Sequence, residues 1–142
     1  MNKMEDKDLR QAMQVFESYK EQLEVLRQQI ELVRSSLEES TRARDTLKVL
    51  KDAKEGDEIL IPIGASVFVN AKVTNSNEAI VGIGNKISVT QDIPDAADYM
   101  SSITIELQEA LKTVSNTYTE VQTSANNLSA AINAKYEARQ NV

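Results

Sequence analysis

Hydrophobic residues recur every three or four positions through the first third of the chain. Steps of alternating three and four give Leu9, Ala12, Phe16, Tyr19, Leu23, Leu26, Ile30, Val33, Leu37, Ser40, Arg44 and Leu47, apolar without a break from Leu9 to Leu37. A 3.5-residue repeat keeps one narrow stripe turned toward a partner helix, so this pattern predicts a coiled-coil seam. One helix of a globular bundle is the competing reading, but such helices seldom exceed about 25 residues without caps. Lys48, Lys51 and Lys54 followed by Gly56 suit a C-terminal helix stop.

A second arm opens near Asp92–Asp95, where Pro94 fits a first turn and carboxylates favour the positive end of a helix. Its seam reads Leu107, Leu111, Val114, Tyr118, Val121, Ala125, Leu128 and Ile132. Extended backwards, the register reaches Thr104 and Met100 while Ile103 lies one place off, which predicts a seam shift near the helix start. Ser, Thr, Asn and Gln dominate the remaining surface from Ser101 to Asn133. These are middling helix formers, so packing along the seam has to supply most of this helix's stability.

Between the arms the period changes from helix to strand. EILIPI (58–63), SVFVNAKV (66–73), AIVGI (79–83) and KISVTQ (86–91) are rich in Val and Ile and bounded by turn residues. Gly64-Ala65 separates the first pair, Gly84-Asn85 the second, and Asn75–Glu78 links the two pairs. Two β-hairpins are expected. Val67, Val69, Ala71 and Val73 would share one face with Phe68 on the other, and Pro62 would mark an edge, since it cannot donate to a ladder. Four short strands cannot bury both apolar faces alone, and open edges invite pairing, so the insert is expected to associate and close a barrel between subunits.

The arms, about 50 residues before the insert and about 48 after it, would each span roughly 70–75 Å. Matched arms favour an antiparallel hairpin that sets Leu9 near Tyr136 and Leu47 near Met100; parallel pairing with another chain would leave the match unexplained.

Composition narrows the chemistry. The 142 residues include no His, Cys or Trp, which removes imidazole bases, thiolate nucleophiles, disulfides and ordinary zinc sites. A net charge of −6 argues against nucleic-acid binding. No apolar run approaches the ~20 residues of a membrane span, and the charged start MNKMEDKDLR is unlike a secretory signal. Gly82-Ile83-Gly84 lacks the third glycine and following helix of a dinucleotide loop. Glu38-Glu39 sits on a helical arm beside basic residues as a solvated face, and Asn127-Leu128-Ser129 is a sequon without a secretory route. No enzyme activity, metal or cofactor is expected, and the chain reads as a cytoplasmic protein.

Apolar residues also cluster at the arm ends: Met1, Met4, Leu9, Met13, Val15 and Phe16, with Ile132, Ala134, Tyr136 and Val142 opposite. A seam that ends leaves such side chains partly open, and Met suits varied apolar partners. A frayed end that binds nothing is the alternative, and the residues alone leave both open.

The order of heptad arm, two hairpins and second heptad arm resembles prefoldin of the α class; the β class carries one hairpin. IPIGASVFVNAKV (61–73) and AIVGIGNKISV (79–89), then an acidic lead into the last helix, carry the resemblance, and Asn85-Lys86 departs from the small residues many relatives have there. The resemblance implies an α+β fold, a long antiparallel coiled-coil hairpin whose two central β-hairpins build an oligomeric β-barrel. It implies one prefoldin-like domain over 1–142, with helices over 1–55 and 93–142 and hairpins over 56–92. The function implied is that of an ATP-independent co-chaperone, which captures non-native or nascent polypeptides with its coiled-coil tips and delivers them to a group II chaperonin. Its partners would be β-class subunits in an α2β4 hexamer of the archaeal type. Ile61, Ile63, Val67, Val69, Val81, Ile83, Ile87 and Val89 would serve oligomerisation. Met4, Leu9, Met13, Phe16, Ile132 and Tyr136 would contact clients, by position along the arms. A structural prefoldin-like homo-oligomer or filament is the alternative.

Overall fold

The computed structural model describes residues 3–74 and 77–140, with side chains from Asp6 onward. Two helices of 48 residues each, α1 (Lys3–Leu50) and α2 (Ile93–Gln140), flank four strands: β1 (Glu58–Gly64), β2 (Val67–Lys72), β3 (Glu78–Gly84) and β4 (Ile87–Asp92). The chain forms two units. One combines residues 1–35 with 108–142, and the other comprises residues 36–107.

In the first unit the two helices run antiparallel. The Arg139 guanidinium donates to the Asp6 carboxylate across the pair, and three residues inward on each helix lie Leu9 and Tyr136, the expected partners. Between Asp6 and Ser35, every sheltered position of α1 belongs to the predicted heptad: Leu9, Ala12, Phe16, Tyr19, Leu23, Leu26, Ile30 and Val33. On α2 the stripe from Leu111 to Ile132 is likewise sheltered, with Ala125 fully buried. Periodicity thus sets which face packs, even though the second helix carries so many weak helix formers.

The second unit holds the hairpins and the inner helix segments. Near the start of α2 the seam widens to take in the stripe that Ile103 marks: Ala96 is buried at 0% exposure, and Tyr99 and Ile103 are half-buried. Thr104 holds the heptad position at 2% exposure, and Ala97 and Ile93 continue the register, both buried. A hydroxyl is admissible there because Thr104 Oγ1 donates to the Met100 carbonyl at 2.9 Å. Ser40, buried on α1, donates to the Leu37 carbonyl at 3.1 Å by the same device.

Helix α1 ends earlier than the lysine run suggests. Asp52 and Ala53 donate to Val49 and Leu50 carbonyls, three residues back, so the last turn tightens and closes at Leu50. Lys51 and Lys54 therefore lie beyond the helix. Gly56, at φ 92°, is not its cap; it swings the chain into β1 and donates its N–H to the Val73 carbonyl at 2.7 Å.

Each hairpin is a separate two-stranded antiparallel sheet. Both turns lie one residue later than expected, at Ala65-Ser66 and Asn85-Lys86. All four residues have φ between 50° and 61°, the left-handed pair that matches the twist of the flanking strands. The hairpins repeat one another at a spacing of 20 residues, so that Glu58↔Lys72 in the first corresponds to Glu78↔Asp92 in the second. The bulges repeat too: Ile63 and Gly64 together oppose Val67, and Ile83 and Gly84 oppose Ile87.

Candidate functional site

Strand alternation sorts the insert into two faces per hairpin. On the first, Ile59, Ile61, Ile63, Val67, Val69 and Ala71 share one face, because directly paired residues project to the same side and the bulge keeps Ile63 with Val67. On the second the equivalent face carries Ala79, Val81, Ile83, Ile87, Val89 and Gln91. All eight residues expected to serve assembly therefore fall on these two equivalent faces, four to each. Val81 is buried and Val89 half-buried, while Ile61, Ile63, Val67, Val69, Ile83 and Ile87 stay exposed in the single chain, Ile63 at 63%. Large branched side chains are thus left open on each hairpin, exposed apolar groups of the kind that mark an interaction site. On the same face of the second hairpin, Gln91 Oε1 is buried and, among the described residues, accepts no hydrogen bond.

The opposite faces differ. The first carries Leu60, Pro62 and Phe68 between the oppositely charged pair Glu58 and Lys72; the second carries Ile80, Gly82 and Ser88 beyond the like-charged pair Glu78 and Asp92. Leu60, Phe68 and Ile80 are exposed. Strand alternation already put Phe68 on the far face.

At the helix ends the expected client-contact residues separate into three groups. Leu9 is buried, and Phe16 and Ile132 are half-buried, so these three belong to the seam. Met13 and Tyr136 stand in solvent, at 53% and 56% exposure. Met4 is helical with its side chain outside the described residues, as are Met1 and Val142 altogether. Sequence reasoning missed the Asp6–Arg139 pair, although opposite charges at facing register positions were legible. Asp6, Leu9, Arg10, Met13 and Arg139 together line a shallow hollow at this end.

The remaining charge pattern is that of a solvated helix. Arg27 donates to Glu24 at 2.7 Å and to Glu31 at 2.9 Å, and Lys20 lies 5.8 Å from the Phe16 ring centroid. Hydrogen bonding and charge from Arg27 hold the Glu24 carboxyl below the usual carboxylate range. Among the described residues, no group of acidic side chains could hold a metal ion, and no helix is long and apolar enough to cross a membrane.

Comparison with known proteins agrees with this architecture. A family model described as prefoldin subunit matches residues 19–138. The chain is 28% identical over 141 residues to prefoldin subunit alpha of Methanoculleus marisnigri, covering 99% of this chain and 94% of that one. Prefoldin subunit alpha of Pyrococcus horikoshii is 30% identical over 118 residues, or 82% of this chain and 80% of its own length. Among solved structures, filamentous prefoldin of Methanocaldococcus jannaschii superposes with a TM-score of 0.66 at 25% identity, over 82% of this chain and 97% of that chain.

Proposed function

The chain belongs to the prefoldin family, and we propose that it works as the α-class subunit of an ATP-independent co-chaperone whose β-hairpins assemble the complex and whose coiled-coil ends hold non-native polypeptide. One observation carries the division of labour: two equivalent apolar hairpin faces, each with large branched side chains left open in the single chain. Two such faces call for two partner hairpins per chain. With one hairpin per β-class subunit, each copy of this chain would take two partners, the 1:2 ratio of the α2β4 hexamer proposed here.

Retention of a client follows from geometry more than from tip chemistry. An exposed Met13 or Tyr136 contributes about 1 kcal/mol per contact, by the scale for incomplete apolar burial. Several arms around one space raise the effective concentration of each further contact, so weak sites retain a chain and still release it. Release would be to a group II chaperonin in the cytoplasm.

A second reading has a specific observation behind it: the similar archaeal assembly is filamentous. Native mass spectrometry of the chain alone and with a β-class subunit separates the two. A 2:4 complex is expected, and Ile63→Asp with Ile83→Asp should abolish it. Open-ended growth of the chain alone would favour the filament instead.

A further inference from the structure

Past Ile132, α2 has no sheltered residue: positions 133–140 are all exposed. The apolar seam thus gives out about two turns before the helix does. Leu9, at the facing level of α1, is nevertheless buried. What reaches across here is charge. Among the described residues the other ion pairs join positions no more than four apart on α1, whereas Asp6–Arg139 joins the two helices. Leu9 and Arg139 line the same hollow, so the pair keeps the end of α2 beside a leucine that its own side chains do not grip.

A second partner for Asp6 stands one turn along its own helix. Arg10 lines the same hollow, is exposed, and makes no ion pair among the described residues. Asp6 precedes it by four positions, the order and spacing at which an acid and a base meet on a helix surface. The Asp6 carboxylate can therefore trade Arg139 for Arg10 and keep one ion pair throughout. Exposed pairs of either kind are worth little, so the exchange itself is nearly neutral. Its consequence falls on Leu9. Once Asp6 turns to Arg10, no hydrogen bond or ion pair among the described residues ties positions 133–140 to α1, and the last turns of α2 fray and uncover Leu9. In water that exposure is unfavourable and keeps the closed form dominant. An apolar group seated on Leu9 cancels the cost, leaving only one exposed pair exchanged for another.

We propose that Asp6 works a latch at the arm end. Paired with Arg139 it keeps Leu9 covered; paired with Arg10 it frees the last turns of α2, so that an apolar segment of non-native polypeptide reaches Leu9. The inference rests on the co-chaperone reading and adds a restraint on binding built into the chain.

The test reads one arm at a time. The chain contains no Cys, so Met13→Cys, beside the hollow, takes a single photo-crosslinking label in the complex assembled with a β-class partner. The probe is a denatured protein held well below saturation. At about 0.05 M salt, Arg139→Gln should raise the crosslink yield over the labelled parent about threefold and Arg10→Gln should lower it about threefold, the scale of one exposed ion pair. Both variants lose one positive charge, so an effect of net charge would move them in the same direction. In an Asp6→Asn background both changes should be silent, and at about 0.5 M salt all yields should converge. Hydrogen exchange at the amides of 133–140, without any client, should quicken on Arg139→Gln and slow on Arg10→Gln. Changes of the same sign in the two variants, no change on Arg139→Gln, or effects that persist without the Asp6 carboxylate overturn the proposal. If the parent complex neither crosslinks to nor suppresses aggregation of any denatured protein, the co-chaperone reading falls, and the order of hydrogen exchange alone still decides whether the latch exists.

Discussion

Val73 and Ile93 are the same residue of two successive repeats: each is buried, and each donates its N–H at 2.9 Å to the carbonyl of the residue that opens its own hairpin, Asp57 and Asn77 respectively. One N–H closes the base of the first hairpin. The other does the same for the second and at once begins α2, so Ile93 anchors a strand end and a helix start together.

Replacing Ile93 with Ala should therefore cost roughly 2–5 kcal/mol, the range for truncating a buried Ile. Val73→Ala, which loses fewer methyl groups at the end of one hairpin only, should cost less. Thermal unfolding followed by circular dichroism, in the presence of the assembly partner, ranks the two.

Thr104 gives a prediction of the opposite sign. Its hydroxyl bonds a carbonyl within its own helix, so its removal strands no buried partner. Thr104→Val should be neutral or stabilising by up to about 1 kcal/mol, whereas Thr104→Ala should destabilise through the void it leaves. A chemical-denaturation series on both variants checks the order.

The turns offer a stabilising change. Ser66 and Lys86 hold φ 61° without being glycine, a conformation that costs an ordinary L-residue about 1 kcal/mol or more. Ser66→Gly and Lys86→Gly should each recover part of that, and the second also places a glycine directly after Asn85, the favoured turn dipeptide. Hydrogen exchange at the strand amides should slow in both hairpins.

The two ionic predictions are small. Asp6 and Arg139 are partly exposed, so Arg139→Gln should cost less than about 1 kcal/mol and fray only the terminal turns. The difference should disappear in high salt. Glu24, held below the usual carboxylate range by Arg27, favours the folded state above the unfolded carboxylate pKa. That contribution is lost as pH falls through the lower folded value. Full exposure keeps it slight, so Glu24→Gln should leave the acid limb of a pH–stability curve almost unmoved.

Much of this molecule was legible in the residue order because its two periods differ so plainly. The 3.5-residue stripe marked each seam residue of α1, down to the polar Ser40 and Arg44, and the change to alternation marked both hairpins. What stayed hidden depended on hydrogen bonds made at one level of the backbone. Ile103 marked a sheltered place one position off the heptad, but that the polar Thr104 is buried beside it depended on the hydroxyl's bond to Met100. Gly64 and Gly84 looked like turn residues, but bulge geometry uses them to oppose Val67 and Ile87 and passes the turn to the next pair. At the helix ends, spacing set Leu9 near Tyr136 but missed the Asp6–Arg139 pair three residues further out, and it could not say that Leu9 is buried while Tyr136 stands in water.

The hairpins match in register, turn and bulge, yet their outermost rungs do not: Glu58 faces Lys72, and Glu78 faces Asp92. Opposite charges on facing positions leave little net field, whereas two carboxylates side by side repel and favour a cation arriving from outside. A lysine or arginine approaching at that level would gain from one rung and not from its twin. Two hairpins alike in shape are thereby made electrically distinguishable.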